Sequence, residues 1–192
     1  MKRFTDAVKT AIAQRNWYCA LTLALTLPDI CGKLQDPKTG SETRYRAWWD
    51  KYLLAKYAPP DAPLGIKFLT SGDVYALRCS YLHEGGDNIS NQRVQEALTN
   101  FMFIEPPGGG NIRHINRIIQ TDEVGGRPPH DTLQLQVDLF CNDICEGVDK
   151  WIEDTKDDVN VMERLKSLLT IKVVTRRASS LPALPTTQAT PQ

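Results

Sequence analysis

Apolar residues recur every three to four positions along most of this chain, with polar residues in the gaps, which is the pattern of amphipathic helices. Phe4, Val8, Ala11 and Ile12 trace one such stripe, with Lys2, Asp6, Lys9 and Arg15 mostly elsewhere, so the spacing predicts a helix over residues 3–14. The run from Trp17 to Leu34 is more ambiguous. Leu21, Leu23, Leu25 and Leu27 alternate with Thr22, Ala24 and Thr26 at a strand-like period of two, but the length of the run and its Leu and Ala content favour a helix buried on most sides. Pro28 removes one backbone hydrogen bond within it and is expected to kink it.

Gln35, Asp36, Pro37, Lys38, Thr39 and Gly40 are turn chemistry, which places Ser41 to cap a third helix. Tyr45, Trp48, Trp49, Tyr52, Leu53 and Tyr57 give that helix a wide aromatic face, read here as core and not as a base-stacking platform. Arg44, Arg46, Lys51 and Lys56 make much of the rest basic, and Pro59, Pro60 and Pro63 end it. Ser71 is positioned to cap a fourth helix over residues 72–83, with Asp73 favourable in its first turn and Gly85 and Gly86 as a left-handed stop.

From Asn100 the period changes. Phe101, Phe103 and the run Ile112 to Ile119 flank Pro106, Pro107, Gly108, Gly109 and Gly110, which predicts a β-hairpin with a long loop, and Thr132 to Gln136 supplies a third short strand. Val137, Phe140, Cys141, Ile144, Cys145, Val148, Trp151 and Ile152 then mark a long helix to about Asp154, followed by a weaker one over Asp158 to Leu169. From Arg176 the chain is rich in Ser, Pro, Thr and Ala, as disordered tails are. The expected fold is thus mainly α. It is a helical bundle with a small antiparallel hairpin or three-stranded sheet at about 100–136, inserted before the last long helix, in one domain over 1–175 with a tail at 176–192.

A chain of 192 residues can bury a sufficient core without disulfides or a structural metal. The longest apolar-rich stretch, Trp17 to Leu27, is too short to span a membrane, and Met1 to Asp6 open no signal-peptide core, so a cytoplasmic protein is expected. Cys19, Cys31, Cys79, Cys141 and Cys145 are odd in number and lack framework spacing; reduced, mostly packed thiols are expected, with no metal site and no cofactor. A net charge of zero hides a gradient. Residues 1–60 carry 10 basic and 5 acidic groups, while residues 121–192 carry 8 and 12, so a nucleic-acid ligand would prefer the first third.

One constellation carries chemistry. Arg78 and His83 are separated by four residues near the end of the fourth helix, with His83 directly before Glu84, Gly85 and Gly86. An Arg–His spacing of this kind also arises by chance, so its context carries the weight: unpaired carbonyls and the negative dipole end there favour an imidazolium. An imidazole so placed can exchange a proton with a ribose hydroxyl or a leaving oxygen, and a guanidinium can hold a phosphodiester and stabilise charge developing on phosphorus. These are the two parts of RNA cleavage without a metal. Five residues rotate by about 140° along an ideal helix, so the two side chains do not share a face. Either the last turn unwinds, or a two-fold homodimer brings two copies of the motif helix into one cleft, the arrangement favoured here.

The stretch Tyr75-Ala76-Leu77-Arg78-Cys79-Ser80-Tyr81-Leu82-His83-Glu84-Gly85, late in a core helix of a helical chain, resembles the HEPN superfamily, over roughly residues 3–154. That resemblance implies a metal-independent endoribonuclease working at a dimer interface, commonly as a toxin or in abortive infection and phage defence, with catalytic roles on Arg78 and His83. Cys79 stands where many active members carry a polar residue such as Asn, and the β insertion elaborates the simple bundle. His83 is then the general acid/base and Arg78 the phosphate clamp, with Ser80 a possible substrate contact and Arg44 and Arg46 guiding the RNA backbone. RNA, a second copy and an antitoxin or regulatory protein are the partners this reading calls for.

Other readings of the same residues stay open. His83 can simply bond helix-end carbonyls, and Arg78 can be a structural arginine paired with a carboxylate such as Asp29. Tyr81 shares a face with Val74 and Leu77 and is read as core, and His114 and His130 as surface residues. Gly108 to Gly110 lack the following Lys-Ser or Lys-Thr of a phosphate loop. The alternative functions are a non-catalytic HEPN-like module that binds nucleotide or protein, and a helical protein with no ligand in the cleft.

Overall fold

The structure, a computed structural model, describes residues 1–58, 68–93, 95–106, 108, 114–120 and 130–172. The expected prolines 59, 60 and 63, the start of the expected strand at 112 and the tail from 176 lie outside those residues. The described elements are helices α1 (Lys2–Ala13), α2 (Trp17–Gln35), α3 (Ser41–Tyr52), α4 (Leu54–Tyr57) and α5 (Ser71–Glu84), strands β1 (Asn100–Ile104), β2 (Asn116–Gln120) and β3 (His130–Gln136), then helices α6 (Val137–Thr155) and α7 (Val159–Lys166). Among them no helix is long and apolar enough to cross a membrane.

Helix α2 is the hub. It packs against α1, α3, α5, α6 and α7. Its many-sided apolarity explains this: Ala20, Leu21, Ala24, Leu25, Leu27, Cys31 and Leu34 are all buried. The helix runs on through Pro28 to Gln35. Helix α6 packs against it with Cys141, Ile144, Cys145, Val148 and Trp151 buried, while Phe140 meets the rings of Trp49, Tyr57 and Phe103. The aromatic face of α3 is core, as its spacing implies: Tyr45, Trp48 and Trp49 are buried, and Trp49 stacks obliquely on Tyr57 at 5.4 Å. Leu53 breaks the third helix at φ −127°, and the single turn of α4 then carries Tyr57 inward.

The two expected serine caps sit one residue inside their helices. Thr70 holds the extended conformation before α5 and its hydroxyl accepts from the Asp73 amide at 3.1 Å, whereas Ser71 donates to Asp50 at 3.2 Å. Gly40 precedes α3 without a side-chain cap, and the Ser41 hydroxyl meets Tyr75 Oη at 3.2 Å. At the other end of α5, Gly85 adopts φ +71° and Gly86 N–H returns to the Ser80 carbonyl, the left-handed stop that the paired glycines signal.

The sheet is three-stranded and mixed, in the order β1-β3-β2. β1 runs parallel to β3, pairing Phe101 with Leu133 and Phe103 with Leu135, and β2 runs antiparallel to β3. The expected hairpin between the first two strands therefore does not form. The reason lies in β3: Leu133 and Leu135 are fully buried, so the strand with the strongest apolar face takes the centre and pairs on both sides. β2 instead contributes Arg117, whose guanidinium pairs with Asp131 of β3.

One carboxylate ties the sheet to the bundle. Asp73, fully buried in the first turn of α5, accepts from the backbone amides of Glu96, Ala97 and Leu98 at 2.9, 3.0 and 3.3 Å, while its other oxygen accepts from the Thr70 hydroxyl at 2.9 Å. Asp73→Ala orphans three amides at once and is expected to cost about 3 kcal/mol or more, read as a loss in chemical denaturation with faster hydrogen exchange at residues 96–98. Gly147 marks a second tight point, because a Cβ there would lie 2.7 Å from Trp48 Cη2 and 3.3 Å from Leu53 Cδ2. Helix propensity favours alanine over glycine by about 1 kcal/mol, but overpacking against a buried indole costs about 1–3 kcal/mol. Gly147→Ala is therefore expected to lower the melting temperature despite its helical position.

Candidate active site

Helix α5 stays regular as far as Glu84, so the terminal turn does not unwind to bring the motif together. Side-chain reach does that instead. Within one chain Arg78 NH1 lies 3.4 Å from His83 Nε2, which removes the geometric obstacle expected from helix rotation without recourse to a second copy. His83 is exposed, and the Arg78 side chain is 19% exposed, so the pair opens to solvent.

The guanidinium is held from several sides. NH2 lies 3.4 Å from Asp29 Oδ2, NH1 lies 4.0 Å from Cys79 Sγ, and the group sits 6.0 Å over the Tyr75 ring. The pairing with Asp29 is the structural role that the sequence also allows for this arginine. Asp29 Oδ1 in turn accepts from Arg44 Nε at 3.1 Å and NH2 at 2.8 Å, and Arg44 NH1 donates to the Thr39 carbonyl at 2.7 Å. Arg44 reaches Asp29 because Gly32 leaves room: a Cβ there would meet Arg44 Cγ at 3.0 Å. The side chain of Tyr45 is also buried in this cluster. Its hydroxyl and Arg78 Nε have no hydrogen-bond partner among the described residues, and burial pushes the Tyr45 phenol well above its ordinary range.

The other expected contacts are arranged differently. Arg44 joins the site only through Asp29. Arg46 points to the start of α5 and the segment after it, pairing with Glu96 and, at 3.5 Å, with Glu42. Ser80 is 1% exposed and its hydroxyl donates to the Asn88 carbonyl at 2.9 Å, so it fastens the return segment after α5 and presents no free hydroxyl. Cys31, Cys141 and Cys145 are buried, and burial raises their thiol pKa values, that of Cys145 to about 11. Cys19 is exposed and Cys79 half-buried. No three His, Cys, Asp or Glu side chains converge on a common point among the described residues.

His114 is not the surface residue its sequence position implies. Its side chain is 19% exposed, its ring meets Tyr57 edge-on at 6.2 Å, Nδ1 accepts from the Gln136 amide at 3.1 Å, and Nε2 faces Asp143 Oδ2 at 3.6 Å. Tyr57 donates to Asp143 at 2.8 Å, and Lys56 pairs with Asp143 and, at 2.8 Å, with Glu146. No local pattern signals this cluster, because its members come from α4, the approach to β2, and α6. His130, also expected at the surface, is half-buried at the start of β3 and pairs in register with Gln120.

Burial alone would raise the Asp143 pKa; the facing His114 ring and the hydrogen bonds from Lys56 and Tyr57 outweigh it and hold the carboxyl below its ordinary 3.8. A lowered native pKa gives stability that is fully present above the unfolded value and lost as pH falls through the native one. Asp143→Asn is thus expected to lower the melting temperature at neutral pH, with the gap to wild type closing as pH drops below 3.8. A gap that stays constant into that acid range would contradict this account. No family model, curated protein or solved structure matches the chain significantly.

Proposed function

We propose that this protein is a metal-independent, HEPN-like endoribonuclease that acts as a toxin or defence effector in the cytoplasm, with Arg78 and His83 as its catalytic pair. The observation that carries the reading is the approach of the Arg78 guanidinium to the His83 imidazole at a solvent-open helix end. On this reading Arg78 clamps the scissile phosphate. His83 Nε2 takes the proton of the ribose 2′-hydroxyl as that oxygen bonds to phosphorus, and the imidazolium so formed returns it to the 5′ oxygen as the bond from phosphorus to that oxygen breaks, giving a 2′,3′-cyclic phosphate and a 5′-hydroxyl. Two copies related by a two-fold axis would set a pair of such sites in one cleft around the RNA. An antitoxin or regulatory protein would act at the same cleft.

A second reading, a non-catalytic module of the same architecture that binds nucleotide or protein, is favoured by a specific feature: its basic groups are already paired. Arg44 and Arg78 share Asp29, and Arg46 is matched by Glu42 and Glu96. The ribonuclease reading expects RNA cleavage in the presence of EDTA with 2′,3′-cyclic phosphate ends. It also expects His83→Ala to lower the rate by about a hundredfold or more with circular dichroism unchanged. Full cleavage by that variant would remove the assignment, and binding of nucleotide without cleavage by wild type would select the second reading.

A further inference from the structure

Asp29 stands between two guanidinium groups. One oxygen takes two donors of Arg44, the other takes Arg78 NH2, and the far side of Arg78 reaches His83. A guanidinium offers donors only, so its contact with Nε2 requires an accepting nitrogen, which places the proton of a neutral ring on Nδ1. This is the less usual tautomer of a free histidine side chain. Arg78 cannot swing easily to another partner, since it is four-fifths buried, lies over Tyr75 and is drawn to Asp29. Asp29 is fixed in turn, because Arg44 contributes two bonds to it and a third to Thr39. Two positive groups on one carboxylate also leave net positive charge at the pair, which suits an incoming phosphodiester.

We propose that Asp29 is a positioning residue: anchored by Arg44, it holds the Arg78 guanidinium so that this group donates to His83 Nε2 and keeps the imidazole in its Nδ1–H tautomer, with the Nε2 lone pair turned to the guanidinium edge that would meet a phosphate. Its consequence for catalysis rests on the ribonuclease reading, but its geometric content does not. His114 supplies an internal contrast, for its Nδ1 accepts from an amide and its proton sits on Nε2.

Nuclear magnetic resonance of the full chain labelled with ¹⁵N and ¹³C histidine, at about pH 8.5 where imidazoles are neutral, reads the two tautomers directly. Wild type is expected to show Nδ1–H for His83 and Nε2–H for His114. Asp29→Asn is expected to return His83 toward Nε2–H while His114 stays as it is. An Nε2–H signature for His83 in wild type overturns the proposal without any variant, and an unchanged Nδ1–H signature in folded Asp29→Asn overturns the role of Asp29. With RNA as substrate, Asp29→Asn is expected to lower kcat about tenfold or more with KM little changed, and Asp29→Glu to recover part of the loss. A wild type that leaves RNA intact removes the ribonuclease reading, whereas the tautomer result then still decides the positioning.

Discussion

The fully buried carboxylate of Asp73 is the constraint on which the rest of the arrangement depends, because it joins the start of α5 to the chain entering β1. Burying a carboxylate is unfavourable unless its acceptor sites are filled. Three backbone amides and a threonine hydroxyl fill them here, so the desolvation cost falls on a group that no longer lacks partners. Since α5 carries Arg78 and His83, this fastening also fixes the axis along which the candidate site is built. The left-handed turn at Gly85 and the bond from Ser80 to Asn88 secure the other end of the same helix.

Between those ends, α2 supplies what α5 lacks. α5 presents an arginine to a half-buried position, and α2 answers with Asp29, one residue past Pro28. The carboxylate is shared with Arg44 of α3, so three helices meet at one charge cluster. Such a cluster adds little net stability, since desolvation offsets much of the Coulomb attraction. Its value lies in orientation. A planar fork held at one nitrogen by a carboxylate has few remaining ways to present the other.

Most of the helices were legible in the sequence because they are specified locally, although the break at Leu53 that parts α4 from α3 was not. The stripe through Val148 and Trp151 and the stop at Gly85 need only neighbours within a few positions. What the pattern missed is non-local. Phe101 and Leu133 alternate like any strand residues, and nothing in either segment tells that they pair in parallel while β2 lies on the far side of β3. Arg44 and Arg46 read as part of a basic face, and of their carboxylate partners only Glu42 is near in sequence, whereas Asp29 and Glu96 lie 15 and 50 residues away. The Arg–His spacing was visible, but the contact across it depends on the length and reach of the arginine side chain, which helix geometry alone does not count. His114 was missed for the same reason: its burial is set by Tyr57 and by Asp143 of α6, far along the chain.

Pairing within the cluster does not close it to a ligand, and the donors of Arg78 show why. Nε is buried, NH2 is spent on Asp29 at 3.4 Å, and NH1 is shared between an imidazole at 3.4 Å and a thiol at 4.0 Å. Each of these contacts is long for a hydrogen bond. A phosphate oxygen offers the same charged donor a charged acceptor that can be met at a shorter distance, so the exchange of acceptors favours the anion. What that exchange releases is the lone pair of His83 Nε2, the atom that must take a proton if RNA is cut here. On the ribonuclease reading, arrival of the substrate phosphate would then free the base at the same moment that the clamp closes, because the nitrogen that accepts from Arg78 is released as the guanidinium turns to the anion.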